Sequence, residues 1–190
     1  MKKTTVSIGI PSHNDENQDM NILVTHYFTD NNQGDAAILD GVIIMLSIVF
    51  NIRRLRISTR EHQSQRKDEY VTSFYYEAVD KIDSTLHRLF RIPYVLFVTT
   101  LYSLLYFVFE KKLSMLLTKD ILSLINEYHR SNFVALTGGG YITGKNTLHG
   151  NTNVILQLHG ILIPFLLRKQ IILFPQSIGP FGNAFQEFLV

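Results

Sequence analysis

Residues suited to binding chemistry lie at three places where an apolar run ends in a polar or glycine-rich turn. Amide, carboxylate and hydroxyl groups can bind the hydroxyls of a sugar, and glycine lets the backbone come close to a ligand. A strand that ends in such a turn and leads into a helix is typical of an α/β sheet, which binds ligands there. We therefore expect one substrate-binding site, formed by residues that follow the runs 21–28, 133–137 and 171–174: Asn32, Gly34, Asp35, Gly138, Gly139, Gly140, Gln176, Ser177 and Gly179.

These residues could also have purely structural roles. Asp35 could cap a helix that we predict from Asp35 to about Phe50, and Asn32 could satisfy only its local backbone. Ser177 could cap a helix beginning near Gly179, and the three glycines could form no more than a tight turn. Both interpretations stay open at each position.

Histidine and cysteine give weaker indications. The chain has no cysteine, which excludes disulfides, cysteine nucleophiles and thiolate metal sites. His149 and His159 form no metal-binding pair, so we predict no metal, and without a dinucleotide or P-loop glycine pattern we predict no cofactor. The catalytic residues are unknown, with His149 and Asp35 as weak candidates facing the cleft. His159 and His26 are predicted to pack in the core.

The apolar periodicity predicts an α/β fold, with a Rossmann-like, open, mostly parallel sheet and flanking helices. We predict strands at 21–28, 52–59, 133–137 and 171–174, and helices at 35–50, 71–89, 92–109, 113–128 and 146–167. Residues 1–20 form a polar leader that we expect to be disordered, and residues 21–190 form one domain.

The segment from Ile92 to Phe109 contains no charged residue, and basic residues flank it on both sides. Three interpretations stay open: a helix buried in the core or at a dimer interface, a helix lying on a membrane surface, and a membrane span. The net charge of +2 and the lack of a basic–aromatic pattern argue against nucleic acid as a partner. No secretory signal pattern is present, so we predict a cytoplasmic protein, with peripheral contact at the inner face of the membrane under the second interpretation.

Taken in order, the three motifs resemble those of the polysaccharide pyruvyl transferase family. That family has an Asn-x-Gly-Asp turn after its first strand, a later strand ending in three glycines, and a strand ending in Gln-Ser-Ile-Gly-Pro. The matching segments here are 32–35, 138–140 and 176–180. The resemblance implies the N-terminal domain of a protein similar to two-domain, B-type glycosyltransferases, truncated at its C-terminus with the second domain missing.

The resemblance also implies an activity and two binding partners. Such an enzyme transfers pyruvyl from phosphoenolpyruvate to two hydroxyls of one sugar in a cell-surface glycan or lipid-linked precursor, which gives a cyclic ketal and phosphate. The phosphoenolpyruvate site would lie mostly in the missing half, and the glycan acceptor would bind this half. Two alternatives from other classes remain: a sugar-nucleotide glycosyltransferase domain, and a non-catalytic membrane-associated scaffold.

Overall fold

The computed structural model describes residues 20–27, 32–59, 70–73, 85–109, 115, 117–137, 139–142 and 144–190. The predicted leader lies outside these residues apart from Met20. In chain order the elements are β1 (Met20–Tyr27), α1 (Gln33–Val49), β2 (Ile52–Thr59), β3 (Tyr70–Thr72), α2 (Thr85–Phe109), α3 (Lys119–Arg130), β4 (Phe133–Leu136), β5 (Gly139–Ile142), α4 (Leu148–Leu166), β6 (Gln170–Leu173), β7 (Gln176–Ile178) and α5 (Ala184–Leu189).

Five strands form one sheet in the order β3-β2-β1-β4-β6, and every neighbouring pair is parallel. From β1 the chain moves outward to β2 and β3, and then crosses back to β4 on the other side of β1. Connections therefore leave β1 and β4 in opposite directions, which creates a topological switch point between these two strands. The predicted α/β fold with an open, parallel, Rossmann-like sheet and flanking helices is confirmed.

The central strands are buried on both faces because helices cover each side. In β1, Ile22 and Val24 pack against one face with Leu39 of α1, whereas Leu23 points to the opposite core. Successive strand residues point to opposite faces, so this apolar run serves both cores. The second core contains residues of α2, α3 and α4 together with β4: Val95, Tyr102, Ile121, Leu124, Leu156, Ile163, Val134 and Leu136.

Several predicted boundaries are wrong. The helix predicted at 71–89 does not begin at Val71, which pairs with Ser58 as part of β3. Aromatic and β-branched residues at 70–72 fit a strand, and β2 supplies an edge for it to pair with. Residues 74–84 lie outside the described part of the chain, and α2 begins at Thr85. The helix predicted at 113–128 instead spans Lys119–Arg130.

Helix α2 contains the whole charge-free segment, including Pro93. Its part Phe90–Phe109 is, by length and composition alone, able to cross a membrane, and no second helix in the described residues passes that test. One side of α2 packs in the core with α3 and α4 through residues such as Val95 and Tyr102, while Phe90 and Phe97 on the other side are exposed. The helix is thus part of the α/β domain and presents one apolar side outward.

Candidate functional site

The three predicted turns leave the same edge of the sheet. Thr25 in β1 pairs with Leu136 in β4, which pairs with Leu173 in β6, so the carboxyl ends of these adjacent strands are level. The chain continues from them to Asn32, to Gly139 and to Gln176 respectively. The structure therefore places the predicted site residues beyond the carboxyl ends of these three adjacent strands, although Gly138 lies outside the described residues.

Two of the turns are joined directly by backbone pairing. Strands β5 and β7 form a separate two-stranded parallel sheet, in which Gly139 pairs with Gln176 and Ile142 pairs with Ile178. Gly140 and Ser177 belong to the same two strands. We did not predict these strands from the sequence, because each has only three or four residues and depends on the other for its hydrogen bonds.

Asn32, and not Asp35, caps helix α1. The Asn32 Oδ1 atom accepts a hydrogen bond from the Gly34 N–H at 2.9 Å, and the Asn32 carbonyl accepts from the Ala36 N–H at 3.0 Å. The predicted capping by Asp35 is wrong: Asp35 lies in the first turn, where a carboxylate is favoured by the positive end of the helix dipole. A side chain at position 34 would begin only 3.2 Å from the Asn32 Oδ1, so glycine suits this cap.

Thr137 connects the two strands of the switch point and was not identified from the sequence. It is fully buried at the end of β4. Its Oγ1 donates to the His26 carbonyl at 2.8 Å, and its backbone N–H donates to the Thr25 carbonyl at 3.0 Å. The sequence did hold a sign of this role, because Thr137 is a β-branched residue with a hydroxyl directly before the three glycines. Thr137 thus holds the carboxyl ends of β1 and β4 together.

His26 has a structural role at the end of β1. Its φ of 64° belongs to the left-handed region, and the pairing of β1 with β2 is irregular here. The ring lies against Gly160 of α4, and Nε2 is 3.0 Å from the Gln157 carbonyl. A carbonyl only accepts, so Nε2 carries the proton and Nδ1 accepts from the Thr25 hydroxyl at 3.2 Å. These contacts confirm the prediction that His26 is packed, and burial lowers the pKa of its imidazole.

A cluster of side-chain amides borders the site, formed by Asn146, Asn151, Asn183 and Gln186 (the amide cluster). The Nε2 of fully buried Gln186 donates to the Lys145 carbonyl at 2.8 Å and to the Asn151 Oδ1 at 2.7 Å. Asn183 Nδ2 donates to Asn151 Oδ1 at 3.0 Å, and Asn183 Oδ1 accepts from the Gln186 N–H at 3.0 Å. These bonds hold the segment after β7 against the start of α4.

The predicted cap by Ser177 is also wrong. Asn183 caps α5, which begins at Ala184 and not near Gly179. Asn183 and Gln186 have the spacing of a capping box, so the sequence already contained a signal for this start. Gly179 itself has a φ of 82°, which a residue with a side chain adopts only with strain, so its glycine is required by the backbone.

His149 is the second residue of α4, and its side chain lies outside the described part of the structure. Thr147 caps this helix, since its hydroxyl accepts from the Gly150 N–H at 3.0 Å. His159, further along α4, is buried and hydrogen-bonded to Thr99, which confirms the prediction of a core histidine. Of the two histidines on α4, only His149 thus remains a candidate.

The predicted site residues supply mainly hydrogen-bonding groups: backbone amides, side-chain amides, a hydroxyl and one carboxylate. Helices α1 and α4 both begin at this edge, so their first-turn amides add donors to those of the turns. In the described part of the chain no group of three His, Asp or Glu side chains could hold a metal ion. No protein-family model matches the chain, and neither a curated protein nor a solved structure is significantly similar to it.

Proposed function

We propose that this chain is the acceptor-binding, N-terminal half of a polysaccharide pyruvyl transferase. The observation that carries the proposal is the pairing of Gly139 with Gln176, next to the switch point beside which Asn32 begins α1. Two of the three segments that resemble the family's motifs pair directly, and the third begins a helix at the same edge of the sheet. Because parallel strands end at one edge, each turn would lie there in any case, so the support comes from the matching motifs and from the direct pairing of two of the three segments.

The proposed reaction joins two oxygens of one sugar to the pyruvyl carbon of phosphoenolpyruvate, with release of phosphate. An acid protonates the methylene carbon, and the first sugar hydroxyl attacks the adjacent carbon and loses its proton to a base. The second hydroxyl then displaces phosphate from that carbon and passes its proton to the leaving phosphate, which gives a cyclic ketal and inorganic phosphate. In this chain the turn amides and Asn32 would hold the two hydroxyls, and Asp35 and His149 are the candidates for proton transfer.

The donor has no matching site among the predicted site residues. Phosphoenolpyruvate carries a carboxylate and a phosphate, which require cationic side chains for binding. Among the predicted site residues there is no lysine or arginine, and Asp35 is acidic. In a B-type arrangement, as the resemblance implies, the donor would be held by a second domain facing this edge.

Nuclear magnetic resonance titration of the chain tests the proposal. A methyl glycoside with a free diol should shift the backbone amides of Gly34, Asp35, Gly139 and Gly179. The matched control is the same glycoside with one hydroxyl of the diol methylated, which should cause much smaller shifts because it cannot donate from that oxygen. Phosphoenolpyruvate alone should leave these amides unchanged.

Three outcomes would overturn the proposal. Equal shifts with the methylated glycoside would show that the diol is not recognised. Shifts with a nucleoside diphosphate sugar, but not with the simple glycoside, would favour the sugar-nucleotide glycosyltransferase. Shifts caused by phosphoenolpyruvate at the same four amides would place the donor, and not the acceptor, at this edge.

A further inference from the structure

Helix α2 presents a continuous exposed apolar stripe that no described element covers. Its members recur at spacings of three and four residues over the length of the helix, which places them on one side. Phe90 is 75% exposed and Phe97 is 66% exposed, far more than packing against the sheet would allow. We call this set the α2 stripe: Phe90, Tyr94, Phe97, Leu101, Leu104 and Val108, all of them exposed except Leu101, which is partly buried.

The α2 stripe continues onto α4 through an apolar groove. The groove has a volume of about 590 Å³, and Leu96 and Thr100 line it from the side of α2. Leu162 and Phe165 line it from α4 and are themselves 41% and 61% exposed. The two helices therefore form one broad apolar surface on the side of the sheet opposite α1.

Cationic side chains lie at both ends of this surface, and carboxylates are absent from both helices. The Arg91 guanidinium lies 5.4 Å from the centre of the Tyr94 ring, near the start of the stripe. The Arg168 guanidinium lies 5.0 Å from the centre of the Phe107 ring, near its end. The sequences of α2 and α4 contain no Asp or Glu. The surface thus combines aromatic residues with positive charge.

We infer that the α2 stripe and the adjoining groove dock the protein on the surface of an anionic lipid bilayer. Aromatic side chains enter the boundary between head groups and acyl chains, and arginines beside them attract anionic head groups. This inference is independent of the reaction proposed above, because it rests on α2 and α4 and not on the switch point.

Charge and packing favour a bilayer surface over the two other occupants. A second copy placed on the stripe across a two-fold axis would bring arginines near arginines with no carboxylate on either helix to compensate. A membrane span would pull Thr99 and Tyr102 out of the core, where they bond to His159 and His129 at 2.9 Å each. A peripheral helix keeps both bonds.

A single tryptophan can report the docking, since the chain contains none. Phe97→Trp places the reporter in the α2 stripe, and Ile48→Trp is the matched control at a 79% exposed apolar position on α1, across the sheet. With vesicles of equimolar phosphatidylglycerol and phosphatidylcholine, Trp emission from the first variant should shift to the blue and be quenched by brominated acyl chains. The control should respond to neither.

Binding measured by vesicle flotation adds a second readout. Replacing Phe90 and Phe97 together by serine should weaken partition at least about ten-fold, since two exposed phenyl rings no longer enter the bilayer. Replacing Ile44 and Ile48 by serine is the control for loss of exposed apolar surface and should leave partition unchanged. Arg91→Gln with Arg168→Gln should weaken binding to anionic vesicles only.

Other results would overturn the inference. Equal binding to vesicles of pure phosphatidylcholine would remove the charge argument. A blue shift that grows with protein concentration in the absence of lipid would identify a second copy as the occupant. Carbonate-resistant association, released only by detergent, would indicate a span, and an equal response from the α1 control would place the contact elsewhere.

Discussion

Asn32 caps helix α1 and is at the same time exposed at the candidate site. Its Oδ1 is committed to the Gly34 N–H, while the residue as a whole remains open to solvent at the switch point. Asp35, three residues on, lies in the first turn of α1 and does not cap it. At the residue scale, the amide holds the turn in shape, and the carboxylate is the candidate to act on a ligand.

Removing the cap should destabilise the protein even when no ligand is present. Asn32→Ala should lower the free energy of unfolding by about 1 kcal/mol, because the Gly34 N–H loses its acceptor. Asn32→Asp should retain most of that stability, since a carboxylate oxygen can accept the same bond. Urea unfolding followed by circular dichroism measures both.

Asp35→Asn is the control for this series. It leaves the capping oxygen in place, so its effect on unfolding should be smaller than that of Asn32→Ala. The assignment of the cap would be contradicted by a larger loss of stability at position 35 than at position 32.

Helices α2 and α4 are joined by a buried polar contact. The Thr99 hydroxyl donates to the Val95 carbonyl of its own helix, so its oxygen accepts from His159 Nε2 at 2.9 Å. Burial lowers the pKa of His159 to about 4, and the imidazole is therefore neutral in the folded protein at neutral pH. At the element scale this contact fixes how the two helices of the apolar surface lie together.

The His159 contact predicts a dependence of stability on pH. The pKa of His159 is about 6.5 in the unfolded chain and about 4 in the folded protein. Between these pH values the unfolded state is protonated at this residue and the folded state is not. The free energy of unfolding should therefore fall by up to roughly 1.4 kcal/mol per pH unit between these values and then level off. His26, whose pKa is also lowered, acts in the same direction.

Chemical unfolding at a series of pH values checks this slope. His159→Gln keeps a donor for Thr99 but cannot titrate, so the slope should become shallower than in the parent chain. His87→Gln, at an exposed position on α2, is the control. A slope that does not change in His159→Gln would contradict a neutral, buried His159.

Elements with strong local signals were predictable, and those that depend on partners were not. Strand β2 spans 52–59 as predicted, because its β-branched residues favour a strand locally. Strands β3, β5 and β7 are too short to have a period of their own, and they exist because a neighbouring strand supplies their hydrogen bonds. The amide cluster was missed for a similar reason: Asn151 and Gln186 are far apart in sequence and meet only through the fold.

At the scale of the whole molecule, the domain contains a five-stranded sheet and, beyond its carboxyl edge, a two-stranded sheet with fewer pairing partners. Strands β1 and β4 are buried between two helical layers and pair on both sides. Among the described residues, β5 and β7 pair only with each other, and two-stranded sheets are marginal by themselves. The candidate glycine and glutamine turns therefore lie on the part of the domain with the least pairing, while Thr137 anchors the edge from which they extend.

Amide hydrogen exchange should differ between the two sheets, and its change on ligand addition should show which sheet the ligand stabilises. Amides of β1 and β4 should exchange only through global unfolding, whereas amides of β5 and β7 should exchange faster by local opening. A glycoside with a free diol should slow exchange in β5, β7 and the first turn of α1, because bound hydroxyls hold those amides in place, and should leave the β2–β3 edge unchanged. The methylated glycoside should have little effect. Equal exchange rates in the two sheets would contradict the proposed difference in local stability, and protection at β2–β3 alone would move the ligand away from the switch point.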